Sequence, residues 1–142
     1  MKFIITFLLV CVAFATYIEC HDVEKLKAIA EECKEEAGAT DEDVETMFAM
    51  EPADNKEAKC LHSCVMKKIG LMDADGKLDR EKATTILKHI AADDEEQEKL
   101  GLEILDACVD LNVNEDDCEA AEEYRTCMHD KADEIGFKLG RV

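Results

Sequence analysis

Apolar residues recur along most of this chain at intervals of three and four, the spacing that turns one face of an α-helix toward a core. From Asp22 onward Val23, Leu26, Ala30, Cys33 and Ala37 keep this spacing, and Gly38 offers a stop for the first helix. Thr40, with Asp43 three residues later, resembles a capping box with Asp in the Glu position. It opens a short second helix with Val44, Met47 and Phe48 on one side. The only proline, Pro52, then breaks the chain. Asn55 is placed to cap a third helix that buries Ala58, Leu61, Val65 and Ile69 and ends at Gly70. Asp79 caps a fourth, whose inner face is Ala83, Ile86, Leu87 and Ile90. The polar run 93–98 supplies caps and first-turn acids for a fifth helix carrying Leu100, Leu102, Ile104, Leu105, Cys108, Val109 and Leu111. These residues cover more than one stripe, so this helix is expected to be enclosed on several sides. Asn114 is placed to cap a sixth helix through Cys118, Ala121, Tyr124, Cys127, Met128, Ala132 and Ile135, released at Gly136. No alternating stretch is long enough for a sheet. The fold class expected is all-α, a compact bundle of about six helices.

The first residues depart from this pattern. Met1-Lys2 is followed by the apolar block from Phe3 to Ala15, the form of a secretory signal peptide and too short to span a bilayer. Cleavage after Ala15 would leave seven cysteines, one of them unpaired. Cleavage after Cys20 leaves six, which favours a leader of residues 1–20 and a mature domain of residues 21–142. The mature protein is therefore expected to be secreted and extracellular. The net charge of −18 is unchanged by removing the leader. It speaks against nucleic acid and anionic membranes as partners and is read as a solvated surface.

The six remaining cysteines are Cys33, Cys60, Cys64, Cys108, Cys118 and Cys127, separated by 26, 3, 43, 9 and 8 residues. Cys60 and Cys64 lie one turn apart on the third helix, poorly placed to bond each other. Each should take a distant partner, making that helix the hub of the domain. Six cysteines still allow fifteen pairings.

Motifs for chemistry are weak. Asp73, Asp75 and Gly76 match three positions of a calcium loop, but in that frame Leu71 and Lys82 fall where acidic ligands belong, so a tight Asp-Gly turn is the better reading. Cys127-Met128-His129-Asp130 resembles the His-Asp helix of secreted phospholipases, yet the doubled cysteine and the glycine-rich calcium loop are missing. Neither a metalloprotease His-Glu motif nor a Gly-x-Ser-x-Gly elbow is present. No enzymatic activity, cofactor or metal is expected.

A leader followed by six helical segments, with cysteines at these intervals, resembles the insect odorant-binding proteins, the pheromone and general odorant-binding group. The three-residue gap between Cys60 and Cys64 and the eight-residue gap between Cys118 and Cys127 carry the likeness, which spans the mature chain. The resemblance implies bridges from Cys33 to Cys64, Cys60 to Cys118 and Cys108 to Cys127, around an apolar cavity. It implies a secreted carrier of small hydrophobic ligands such as odorants, pheromones or fatty compounds. A membrane receptor would be a further partner, with no membrane insertion, and the protein would be a monomer or weak homodimer. A carrier working outside olfaction, or a binder of a protein partner, would share the fold. Helical phase nominates Met47, Phe48, Ile69, Met72, Ile86, Ile90, Leu105, Val109 and Met128 as cavity wall, with Phe137 and Leu139 of the tail as a lid. The scarcity of aromatic residues favours aliphatic chains as cargo. Acid-triggered release, known in some members of the group, would draw on His62, His89 and His129 and on a tail carboxylate at Val142 held by Arg125. The simpler alternative makes those histidines solvated and without role.

Overall fold

The computed structural model describes residues 22–137, which form six helices joined by short turns. Helix α1 covers 22–37 and closes in a Schellman turn. Gly38 takes φ +69°, and the Ala39 amide donates to the Lys34 carbonyl at 3.0 Å. Helix α2, Asp41–Phe48, opens with the expected capping box. The Asp43 amide donates to Thr40 Oγ1, and the Thr40 amide donates to the Asp43 carboxylate at 2.8 Å. Helix α3, Lys56–Lys68, is capped by Asn55, whose side-chain oxygen accepts from the Ala58 amide at 2.7 Å. The same Asn55 donates to Asp43 at 3.0 Å, so one side chain sets the start of α3 against α2.

Beyond α3 the chain turns at Gly70, where φ is +83°. Met72 and Leu78 then pair as an isolated antiparallel bridge around the Asp73–Lys77 turn. Asp73 Oδ1 accepts from the amides of Asp75 and Lys77, both at 2.9 Å, so this carboxylate is used to hold its own turn. Helix α4, Arg80–Ala91, is capped by Asp79, and α5, Glu95–Cys108, by Asp94. Helix α6, Asp117–Ile135, ends at Gly136 in the left-handed region.

Three expectations are corrected. The cap of α6 is Asp116, whose carboxylate accepts from the Cys118 and Glu119 amides. Asn114 instead accepts from the Asp116 amide one turn earlier, because an Asx turn precedes the helix. Helix α5 stops at Cys108, leaving Leu111 outside it and 39% exposed, and its side bearing Lys99, Glu103 and Asp106 is exposed rather than enclosed. Ile90 has the phase of the inner face of α4 but is 71% exposed. It lies in the last turn, beyond Leu87, whose side chain packs against Gly101 of α5.

The hub role of α3 holds. It packs against α2 and α6, while α5 joins α6 to α4. Cys64 bonds Cys33 of α1, Cys60 bonds Cys118 of α6, and Cys108 bonds Cys127, pairing α5 with α6. Ion pairs follow the same seams. Lys68 meets Glu32 and Glu36 of α1, Lys59 meets Glu119 at 2.9 Å, and Lys67 meets Asp117. The interior falls into two apolar clusters. One, between α1, α2 and α3, centres on Ala30, Cys33, Val44, Leu61 and Val65. The other, between α3, α4, α5 and α6, centres on Met66, Met72, Leu78, Ala83, Leu105, Val113, Ala120, Ala121 and Tyr124.

The α4–α5 turn carries strain. Ala92 adopts φ 51° and ψ −118°, a conformation that suits glycine and crowds a Cβ. Ala92→Gly is expected to raise stability by about 1 kcal/mol, the relief of strain exceeding the added freedom of the unfolded chain. A urea midpoint at or below that of the parent would refute the strain.

Candidate functional site

The nominated wall residues divide between the two clusters. Met47, Phe48 and Ile69 pack on the α1–α2–α3 side. Met72 and Leu105 are buried in the second cluster, with Val109 and Met128 packed against it. Ile86 is half-buried on α4 in neither cluster, and Phe137 is half-buried at the last described position. Ile90 faces solvent, and Leu139 and Val142 lie outside the described residues. The second cluster thus gathers the largest share of the nominated positions, and it does so around Tyr124, which the helical phase places in α6 but which was not nominated as wall.

Open depressions on the surface have another character. One runs along α5 between Glu95, Glu98, Lys99, Leu102, Glu103 and Asp106. Another lies beside the Cys108–Cys127 bridge, where Glu119, Glu122, Glu123 and Asp130 contribute. Both are acidic and contain no nominated wall residue. The candidate site for an apolar molecule is the interior cluster around Tyr124.

Three methionines, Met66, Met72 and Met128, belong to that cluster or pack against it. Unbranched thioethers change rotamer at little cost, so the volume they fill can be reshaped by a guest. Tyr124 is 0% exposed, and its hydroxyl has no hydrogen-bond partner. Burial pushes its phenol above the ordinary range.

A second buried polar group was not foreseen. His62, between the two hub cysteines, is 5% exposed rather than solvated. Its place was legible, since it lies four residues after Ala58 and three before Val65 on the buried stripe. Its partner was not, because Glu122 is on α6. His62 Nδ1 stands 3.4 Å from Glu122 Oε2, an ion-pair distance without hydrogen-bond geometry, and His62 Nε2 has no partner. The other Glu122 oxygen accepts from Arg125 Nε at 2.9 Å and from the Ala53 amide at 3.4 Å, and Arg125 also reaches the Met50 carbonyl. Arg125 is thereby committed to Glu122 and to the 49–55 connection. Asp43 is held below its ordinary range by the Thr40 amide and the Asn55 side chain. The other two histidines among the described residues are peripheral. His89 lies 3.0 Å from Asp22, and His129 lies 3.4 Å from Asp133 on its own helix.

The electrostatics of His62 have a definite sign. Burial lowers its pKa, with Arg125 acting the same way, against the opposing pull of Glu122 and Asp43. A histidine with a depressed folded pKa binds fewer protons folded than unfolded. Its contribution is whole above the ordinary value of 6.5 and is lost as pH falls from there toward the folded value. Asp43 acts in a separate window, since its contribution is lost only as pH falls below its ordinary 3.8. Between about pH 7.5 and about pH 5 the urea midpoint should therefore fall further in the parent than in His62→Gln. Equal falls would place the acid sensitivity elsewhere.

The family model described as "PBP/GOBP family" matches residues 17–131. General odorant-binding protein 28a of Drosophila melanogaster is 44% identical over 113 residues, covering 80% of this chain and 79% of the relative. The solved structure of Drosophila melanogaster odorant-binding protein dmelOBP28a superposes with a TM-score of 0.75 at 42% identity, covering 83% of this chain and 98% of that one. A pheromone binding protein from the cockroach Leucophaea maderae, solved with the fluorescent reporter 1-anilinonaphthalene-8-sulfonic acid, shares the fold at a TM-score of 0.66 and 19% identity. It covers 75% of this chain and 92% of its own.

Proposed function

Because the chain belongs to the PBP/GOBP family, we propose that it is a secreted carrier that encloses small hydrophobic ligands among its helices and moves them through an aqueous secretion. In this reading residues 1–20 are a signal peptide and residues 21–142 the working domain. The observation that carries it is the apolar cluster between α3, α4, α5 and α6, filled by adaptable methionines and framed by three disulfides. Burial contributes about 0.8 kcal/mol for each methylene, so a chain of roughly ten reaches the micromolar range with no covalent chemistry. The relatives named are binding proteins rather than enzymes, in keeping with that mechanism. Met72, Leu105, Val109 and Met128 are the wall residues we assign to the cavity. Met47, Phe48 and Ile69 pack in the other cluster, on the far side of α3, and are not assigned to the cavity. Among the described residues no helix is long and apolar enough to cross a membrane.

Expression of the full chain in insect cells tests both parts of the proposal. The protein should appear in the medium with His21 as its first residue. Its three disulfides should be intact. It should take up an anilinonaphthalene reporter saturably at one site, and long-chain alcohols and aldehydes should displace that reporter with micromolar constants. Retention inside the cell would overturn secretion. A folded, fully oxidised sample that takes up neither reporter nor ligand would overturn the carrier reading.

A further inference from the structure

An aliphatic carrier discriminates poorly by burial alone, since every methylene contributes alike. Selectivity needs a polar contact inside the apolar volume, and Tyr124 is built to make one. Its hydroxyl is sealed from solvent within the second cluster, and no protein group bonds to it. In a folded protein such a group is destabilising, because its hydration has been removed and nothing has replaced it. The Leu78 backbone N–H is the donor that acts on the phenol oxygen, lowering its pKa against the effect of burial, although it makes no full hydrogen bond. That amide is free to act there because the Met72–Leu78 bridge is closed by the amides of Asp73 and Asp79 instead. The oxygen is thus approached from its acceptor side by the protein itself. What is left over is the O–H donor.

We infer that Tyr124 is the polar anchor of the cavity, donating a hydrogen bond to an uncharged acceptor oxygen on an aliphatic ligand: an alcohol, aldehyde, ketone or ester. This rests on the carrier reading above and narrows it to a ligand class. The donor selects for an acceptor. Electrostatics select for neutrality, since the charged groups that act on the phenol are Asp73, Glu123 and Asp110, all acidic. Among the described residues no lysine or arginine is buried. Arg125, the next residue along, is held by Glu122 and the Met50 carbonyl. A carboxylate would enter with its charge unpaired and its hydration lost. Room for the alkyl chain comes from the thioethers of Met66, Met72 and Met128, which can yield without opening the disulfide frame.

The test uses the secreted, oxidised product of the full chain and its Tyr124→Phe variant. Decane and decanal are measured by depletion from the headspace over the solution, decan-1-ol and sodium decanoate by reporter displacement. Tyr124→Phe should weaken decanal and decan-1-ol roughly fivefold to tenfold, the effect of one neutral hydrogen bond, and leave decane within about twofold. Decanoate should bind the parent more weakly than decanal and be indifferent to the substitution. The ligand-free variant should melt at or above the parent temperature, because an unpaired buried hydroxyl has been removed. Equal weakening of decane and decanal would make Tyr124 a matter of shape and overturn the anchor. So would unchanged affinities throughout, or a melting temperature several degrees lower, which would reveal a structural partner for the phenol. Loss confined to decanoate would overturn the neutral head group. Failure of the parent to bind decane, decanal or decan-1-ol would instead remove the carrier reading itself.

Discussion

Everything in this fold hangs on two sulfur atoms one helical turn apart. Cys60 and Cys64 leave α3 within one turn of each other, yet one bonds α6 and the other α1, with Cα–Cα separations of 4.4 and 5.6 Å. Neither partner helix can then slide along α3 without breaking a covalent bond. The spans closed are 31 and 58 residues, and the third bridge closes 19. Chain entropy credits loops of these sizes with roughly 3 to 4 kcal/mol each, comparable to the whole stability of an ordinary domain. This stabilisation acts mainly on the unfolded ensemble. It makes no demand on the shape of the interior.

The same seam between α3 and α6 carries the least expected chemistry of the molecule. A buried histidine meets a partly buried carboxylate and a partly buried arginine where an apolar contact would have served, and both His62 and Glu122 keep an atom without a hydrogen-bond partner. Isolated, such a group would destabilise the fold. Here the cost is offset by what Glu122 and Arg125 also hold, the Ala53 amide and the Met50 carbonyl of the connection between α2 and α3. Met50 itself adopts φ 60°, so the connection is strained as well as tethered. The cluster therefore fixes the path of a segment with little apolar surface of its own, and His62 makes that fixing sensitive to acid.

How far the sequence could be read follows from the range of each interaction. Caps made within one turn, such as Thr40 with Asp43 and Asn55 with Ala58, were legible because both partners lie within three residues. The all-α class and the apolar stripes were equally local. Asn114 and Asp116 are both good caps two residues apart, and only the path of the preceding turn chooses between them. Ile90 shows the limit of periodicity, which gives the face of a helix but not how far along it the neighbouring helix extends. The partnership of His62 with Glu122 joins residues sixty positions apart and leaves no local trace. The orphaned Tyr124 hydroxyl is harder still, since what defines it is the lack of any partner in three dimensions.

Stiff exterior and soft interior are two aspects of one solution. A helical core of this size would ordinarily need close packing of branched side chains to reach a unique structure, and any guest would then have to displace well-fitted atoms. Cross-links remove that need, so methionine can occupy positions that leucine or isoleucine would fill in a protein stabilised by packing alone. Methionine contributes apolar area without imposing a shape, which lowers the cost of admitting a flexible chain but leaves little to tell one chain from another. Discrimination must then come from groups whose energy depends on a partner being present. Tyr124, its hydroxyl without a hydrogen-bond partner, is a side chain of that kind, and it stands among the residues least able to resist a guest.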